Sequence, residues 1–144
     1  MARIKIEMPD HFIFSTELPI RISDINYGGH LSNDRILSLV HEARVQFLKG
    51  YQYSELDVEG RGLIMTDSAT IYKAEGFHGD RLQVDIAVSD FNKYGCDFFY
   101  LLSNKDSAVE IAHVKTGFVF FDYDERKVVR VPEGFKNRFV KQAE

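Results

Sequence analysis

The hydrophobic pattern of the chain begins with a period of two residues. Apolar or small side chains at one set of positions alternate with mostly polar ones over residues 12–22, at Phe12, Phe14, Thr16, Leu18, Ile20 and Ile22. This alternation predicts a β-strand with one buried face. Pro19 has no backbone N–H to donate, so it predicts an edge strand or a bulge.

A helical period replaces this pattern in the next segment, from Ser32 to Lys49. Its apolar residues recur at steps of three and four and form one stripe, consisting of Ile36, Leu39, Val40, Ala43 and Phe47. Such a stripe predicts an amphipathic helix with one buried side. Ser32 or Asn33 is a suitable N-cap, and Lys49 followed by Gly50 is a suitable end.

The pattern of residues after the helix predicts four more strands and a charged tail. The segment from Tyr51 to Gly62 is expected to be a loop or a short helix. The predicted strands are Leu63–Lys73, Leu82–Phe91, Cys96–Leu102 and Val109–Phe121. In the last strand one face is expected to carry Val109, Ile111, His113, Val119 and Phe121. Hairpin turns are expected at Gly95 and at residues 104–106, and the tail from Pro132 onward can end in a short helix.

One long helix and about five mostly antiparallel strands predict an α+β fold in which the sheet curls around the helix. The chain of 144 residues shows no repeat or linker, so residues 1–144 are expected to form a single domain. The outer face and the edge strands of such a sheet would remain uncovered. Self-association is therefore expected.

Composition narrows the possible partners and the compartment. A formal net charge of −4 gives no general reason to bind nucleic acid. Cys96 is the only cysteine, so no intrachain disulfide can form, which fits a reducing cytoplasm. The N-terminal residues include no long apolar run, so neither a signal peptide nor a membrane span is predicted.

The segment that joins the first strand to the helix is the candidate functional site. It reads RISDINYGGHLSNDRILSLVHEAR from Arg21 to Arg44 and concentrates polar side chains and glycines just before the helix. A helix N-terminus attracts negative charge through its free N–H groups and its dipole, so this turn could stabilise an oxyanion. The alternative is simply a well-capped helix that follows a glycine turn.

The same segment resembles the signature of hotdog-fold acyl-CoA thioesterases of the 4-hydroxybenzoyl-CoA thioesterase type. In that family a D-x-D-x-x-G turn leads into the central helix, which commonly carries an E-A-R triplet, here Glu42, Ala43 and Arg44. Residues 74–88 are similar to the turn and strand that follow in the family, and the closing KVVRVPEGF also fits. The resemblance extends over nearly the whole chain.

The resemblance implies a hotdog fold, a homodimer or homotetramer, and an active site at the dimer interface near the helix N-terminus. The implied reaction is hydrolysis of a thioester of coenzyme A or of an acyl carrier protein. It implies no cofactor and no metal, and the five histidines show no metal-ligand spacing.

The sequence departs from the family where the second acid of the turn is usual, because Asn26 stands there. An amide donates and accepts hydrogen bonds but is neither a general base nor a nucleophile. His30 is the first candidate base, since histidine titrates near neutrality and related plant thioesterases have a histidine there. Glu42 in the helix is the second. A capping or packing role for His30 and an ion pair for Glu42 are the alternatives.

The predicted catalytic residues are thus Asn26, His30 and Glu42. The predicted substrate-binding residues are Asp24, Tyr27, Gly28, Gly29 and Asn33. Of these, Asp24 can instead tie down the turn by hydrogen bonds, and Asn33 can cap the helix. Cys96 is expected to be a buried apolar residue and Asp67 to face solvent.

Two other functions compete with thioester hydrolysis. Hotdog hydratases and dehydratases carry an Asp-x-Asn-x-x-His pattern, which Asp24, Asn26 and His30 approach with one extra residue before the histidine. Tyr27 stands where those enzymes have proline. A module that binds acyl-CoA without turning it over is the second alternative, and Asn26 is the residue that favours it.

Overall fold

The computed structural model describes the backbone of residues 3–143 and the side chains of residues 3–140. Along this part of the chain the elements are β1 (Phe14–Pro19), a short 3-10 turn (Ile22–Asp24), α1 (Asn33–Gly50), β2 (Gly62–Tyr72), β3 (Arg81–Ser89), β4 (Gly95–Asn104), β5 (Glu110–Asp122), β6 (Lys127–Val129) and α2 (Glu133–Ala143). The predicted helix and all five predicted strands are present.

The strands form one antiparallel sheet in the order β1-β3-β4-β5-β2, with β6 added to β5. Strands β1 and β2 are therefore the edges, which confirms the edge position predicted from Pro19. Because β2 and β3 are not neighbours, the loop of residues 73–80 crosses the ends of the strands between them. That loop lies next to the turn before α1, where the backbone N–H of Leu31 donates to the carbonyl of Gly76 at 2.7 Å.

Helix α1 packs with its apolar stripe against the inner face of the sheet. All five residues of the predicted stripe are buried, and Val40, Ala43 and Phe47 have no exposed surface. The Phe47 ring meets Phe98 of β4 edge to face, with centroids 5.8 Å apart. Burying a phenylalanine of this kind contributes several kcal/mol, since truncation to alanine typically costs about 3–5 kcal/mol. The α+β prediction, with the sheet around one helix, is confirmed.

The C-terminal helix α2 closes the core beyond the end of α1. Phe135 and Phe139 are fully buried. Phe139 lies 5.4 Å from the Phe47 ring and Phe135 lies 5.3 Å from the Phe120 ring, measured between centroids. The short helix expected in the tail is confirmed.

Strand β5 keeps only part of the predicted group of residues on one face. The inner face carries Ala112, Val114, Thr116, Phe118 and Phe120, all at most 4% exposed. The predicted face, with His113, Val119 and Phe121, lies on the other side of the strand. The pairing with β4 shifts between Leu102 and Ser103, and this irregularity leaves Ile111 out of the ladder. A bulge of this kind moves the alternation by one residue.

The segment between α1 and β2 is a loop closed by two isolated β-bridges, Ser54–Asp57 and Val58–Arg61, so the alternative of a short helix there is wrong. The three-residue strand β6 was not predicted. Cys96 is 1% exposed, as expected. Asp67 faces solvent, also as expected, and accepts a hydrogen bond from Lys115 Nζ at 2.6 Å.

A buried polar chain joins α1 to the sheet. Arg44 Nε donates to Glu55 Oε2 at 2.9 Å, and Arg44 Nη1 donates to the Tyr100 hydroxyl at 3.0 Å. That hydroxyl also bonds Thr116 Oγ1 at 2.8 Å. Burial opposes ionisation of Glu55, but Arg44 and a hydrogen bond from His41 outweigh it and lower the pKa of Glu55. The arginine of the E-A-R triplet is thus a structural cation.

Candidate active site

Asn26 closes the turn that precedes α1. Its side-chain Oδ1 accepts the backbone N–H of Gly28 at 2.9 Å and that of His30 at 3.3 Å. Since both partners are donors, the accepting atom is the amide oxygen rather than the nitrogen. The NH₂ group of Asn26 is therefore the part of the side chain left to donate to a ligand.

Asp24 holds the same turn in place through its carboxylate and its backbone carbonyl. Its carboxylate accepts the backbone N–H of Arg21 at 2.9 Å and the residue is 2% exposed. The backbone carbonyl of Asp24 accepts the N–H of Ser32 at 2.9 Å. The interpretation that Asp24 ties down the turn is confirmed, whereas its contact with substrate stays a prediction.

Helix α1 begins with Ser32 as N-cap and Asn33 as its first helical residue. Of the two N-caps that the sequence allowed, the structure has Ser32. Asn33 is exposed in the first turn of the helix. The Ser32 side chain makes no capping hydrogen bond; its hydroxyl bonds the Asp34 carboxylate instead. Among the described residues no side chain caps the first N–H groups of the helix, which carry the positive end of its dipole.

A cleft of about 360 Å³ opens beside this helix terminus. Its apolar floor consists of Leu31, Ile36 and Ile111, each at most 7% exposed. The other lining residues are Asn26, His30, Asn33, Tyr72, Lys73, Ala74 and Glu75. An apolar pocket with a few converging polar groups is the usual form of a small-ligand site.

His30 stands at the wall of the cleft. A side-chain carbon on Gly28 would come within 3.3 Å of His30 Nε2, so the imidazole lies close over the bare glycine backbone. The ring is about one-third exposed (34%), and its Nε2 lies 3.9 Å from Oε1 of Glu75. The structure thus brings His30, Asn26 and Asn33 together in one cleft.

The structure places Glu42 outside this cleft in the single chain. Glu42 is exposed on α1, accepts a hydrogen bond from Gln46 Nε2 at 2.8 Å, and lines a different groove between α1 and β1. Tyr27, Gly28 and Gly29 form the exposed tip of the turn beside the cleft and do not line it. Gly29 has a φ of +87°, which glycine adopts without strain.

Three polar lining residues were not found from the sequence. Tyr72, Lys73 and Glu75 lie at the end of β2 and in the loop that follows, far along the chain from the turn. Only the tertiary structure brings them to the helix terminus, and no local pattern marks them as site residues.

Two further observations bear on the chemistry. No group of three or more His, Cys, Asp or Glu within residues 3–143 is arranged to hold a metal ion. Burial raises the pKa of the Cys96 thiol, so this cysteine is not prepared to act as a nucleophile. In the same part of the chain no helix has both the length and the apolar character needed to span a membrane.

An antiparallel sheet wrapped around one central helix, with a cleft at the helix N-terminus, is the hotdog architecture of thioesterases. The structure is similar to a 1,4-dihydroxy-2-naphthoyl-CoA thioesterase from Synechocystis, with a TM-score of 0.79 and 22% identity over 88% of this chain and 95% of that one. It is also similar to a thioesterase superfamily protein from Jannaschia sp. CCS1, with a TM-score of 0.82 and 18% identity over 94% of this chain and 86% of that one.

Sequence comparison gives the family. The model of the Thioesterase-like superfamily matches residues 20–139, and the chain belongs to this superfamily. A candidate esterase of Aquifex aeolicus (strain VF5) is 26% identical over 124 residues, which cover 85% of this chain and 92% of that protein. The predicted resemblance to hotdog thioesterases is confirmed.

Proposed function

We propose that the protein hydrolyses an acyl thioester of coenzyme A, or of an acyl carrier protein, in the cleft beside the N-terminus of α1. One observation carries the proposal. The free NH₂ group of Asn26, the uncapped first turn of α1 and the His30 imidazole all border one apolar-floored cleft.

In this proposal the acyl group lies on the floor formed by Leu31, Ile36 and Ile111, and its carbonyl oxygen points to the helix terminus. The Asn26 NH₂ group and the first-turn N–H groups donate to the oxygen as it becomes negative. Donors fixed by the fold stabilise such an oxyanion without reorganisation. The Asn26 NH₂ group is so fixed, because the other atom of the amide is held by two backbone N–H groups.

His30 is the proposed general base. It takes a proton from a water molecule as the water oxygen attacks the carbonyl carbon. The tetrahedral intermediate then expels the thiolate, which takes from the imidazolium the proton that came from water and leaves as the thiol. Every atom comes from the thioester and water, so the proposal includes no cofactor and no metal.

We further propose that the working form is a homodimer, or a homotetramer built from it. Strand β2 is 11 residues long and is bonded to β5 on one side only. A long unpaired edge favours pairing with a second strand. Tyr72, the last residue of β2, is 57% exposed and lines the cleft, so a second copy along this edge would lie against the site.

The geometry supports the two alternative functions, a hydratase or dehydratase and an acyl-CoA-binding module, to different degrees. A hydratase or dehydratase would need the Asp24 carboxylate at the surface of the cleft. In this protein the carboxylate is buried and accepts the backbone N–H of Arg21. The acyl-CoA-binding module is favoured by Asn26, because this cleft has no carboxylate on the turn itself. We therefore keep the binding module as the second candidate.

One assay separates the three functions. The protein is incubated with a panel of acyl-CoA substrates of different length and with aromatic acyl-CoA, and both free thiol and enoyl hydration are followed. Thiol release that saturates with substrate supports the proposal. Hydration without thiol release supports the hydratase. Tight binding in calorimetry with neither reaction supports the binding module and overturns the proposal.

A further inference from the structure

We propose that Glu75 is a positioning residue for His30 and supplies, from the opposite side of the cleft, the carboxylate that Asn26 lacks. This inference rests on the proposed hydrolysis and concerns how the same site works. Glu75 Oε1 lies 3.9 Å from His30 Nε2. It belongs to the loop of residues 73–80, not to the turn or to α1.

The loop holds the Glu75 backbone in place from both sides. Before it, the N–H groups of Lys73 and Ala74 donate to the carbonyl of Ile111 at 2.8 and 3.2 Å. After it, the carbonyl of Gly76 accepts the N–H of Leu31, the residue next to His30, at 2.7 Å. The position of Glu75 opposite the imidazole is therefore a consequence of the fold.

Gly76 makes this close approach possible. A side-chain carbon there would lie 2.8 Å from Ile20 Cδ1 and 3.4 Å from Leu31 Cβ. Both neighbours are buried, so a larger residue would push the loop away from the turn. With glycine at position 76, the loop lies directly on Leu31, and the side chain of the preceding residue, Glu75, lies near His30.

The chemistry of the pair follows from which nitrogen faces the carboxylate. When Nε2 carries the hydrogen and donates it to Glu75, Nδ1 is the unprotonated nitrogen that accepts the proton from water. The carboxylate then stabilises the imidazolium that forms. Glu75 is 62% exposed, so its side chain has the freedom to shorten the 3.9 Å separation to a hydrogen bond when substrate closes the cleft.

The test is a double-mutant cycle on the intact protein with the best acyl-CoA of the panel. We expect Glu75→Gln to lower kcat by about 10-fold to 100-fold with little change in KM, and Glu75→Asp to retain part of the activity. In the His30→Ala background, Glu75→Gln should cause no further loss, because the carboxylate acts through the imidazole.

A matched control is Glu125→Gln, since Glu125 is equally exposed (62%) and pairs with Lys127 in the turn after β5. It should leave the rate unchanged. The fall in kcat at constant KM and the partial activity of Glu75→Asp should appear only at position 75, because only that carboxylate faces the imidazole. Circular dichroism checks that each variant is folded.

The outcomes separate this inference from the proposed function. A wild-type protein without thiol release overturns both. An active wild type with an unchanged kcat in Glu75→Gln overturns only the role of Glu75. Additive losses in the double variant would show that Glu75 acts directly on water and not through His30, which also contradicts the inference.

Discussion

Asn26 and His30 are bonded to each other in both directions. The Asn26 side-chain oxygen accepts the His30 N–H at 3.3 Å, and the Asn26 backbone N–H donates to the His30 carbonyl at 2.9 Å. One residue therefore both closes the turn and presents its NH₂ group beside the candidate base. A change in Asn26 has to be designed so that the closing bonds survive.

Replacement of Asn26 by alanine removes the oxygen and the NH₂ group together. We expect kcat to fall by about 10²–10³-fold, which is typical for the loss of an oxyanion donor. Thermal unfolding should show a modest loss of stability, since the hydrogen bonds of the turn are lost as well. Full activity in Asn26→Ala would exclude a role in carbonyl binding.

The substitution Asn26→Asp keeps an oxygen that can accept the N–H groups of Gly28 and His30. It exchanges the NH₂ group for a second oxygen with negative charge, which repels an oxyanion. We expect activity to fall although the fold is intact. A clear gain in kcat/KM would instead show that the natural protein lacks a good base, as the binding-module alternative requires.

Replacement of His30 by alanine tests the base. We expect kcat to fall by about 10²–10⁴-fold and the pH profile to lose its acid limb. His11→Ala is the control, because His11 is exposed in the segment before β1, outside the cleft. An unchanged rate in His30→Ala would leave this histidine a packing role in the turn.

Glu42→Gln tests the second candidate base. Glu42 lines a separate groove in the single chain, so we expect less than about a threefold effect on kcat, well below the 10²–10⁴ of a general base. A loss as large as that of His30→Ala would show that Glu42 reaches the substrate, which would require a contribution from a second copy.

The assembly prediction follows from the unpaired edge of β2. Light scattering at micromolar concentration is expected to show a dimer or a tetramer, with an interface that buries well over about 1,000 Å². A monodisperse monomer with full activity would contradict both the assembly and a site completed by the partner.

The acid stability of the fold should depend on Glu55. Its pKa is lowered in the folded state, so the stabilisation is present above the unfolded value of about 4.3 and is lost as the pH falls through the lower folded value. Glu55→Gln should therefore reduce stability near neutrality and flatten the loss below about pH 4.3. Urea unfolding at several pH values measures both effects.

Tyr100→Phe is a useful control for that measurement. It removes the hydroxyl that Arg44 and Thr116 share but leaves the Glu55 carboxylate in place. We expect a cost of about 1–3 kcal/mol at every pH, because buried partners are left unsatisfied. A flattened acid limb in Tyr100→Phe as well would contradict the assignment to Glu55.

Local pattern predicted the elements that dominate the fold. The stripe from Ile36 to Phe47 and the alternation in β3 were sufficient for α1 and for the inner face of that strand. The residues grouped on one face of β5 do not all share it, because the irregularity near Ile111 buries Ile111 while His113, Val119 and Phe121 lie on the outer face. Strand β6 has three residues, too few to show a period.

The site was predicted only as far as it is local. The turn residues Asn26 and His30 were found because they are neighbours in sequence and precede a helix. Glu75 could not be found in this way, because its position depends on a crossover between non-adjacent strands and on a glycine contact. Glu42, which the family motif singles out, is separated from the cleft by the body of the helix.

The crossover of residues 73–80 has a consequence for how this site can diversify. The turn that carries Asn26 and the loop that carries Glu75 belong to different connections of the sheet, which are joined by backbone hydrogen bonds at Leu31 and at Ile20. Substitutions in one connection can alter the acidic partner while the other keeps the carbonyl-binding group. The fold thus places the carbonyl-binding group and the carboxylate on separate segments, so a substitution in one segment leaves the other segment unchanged.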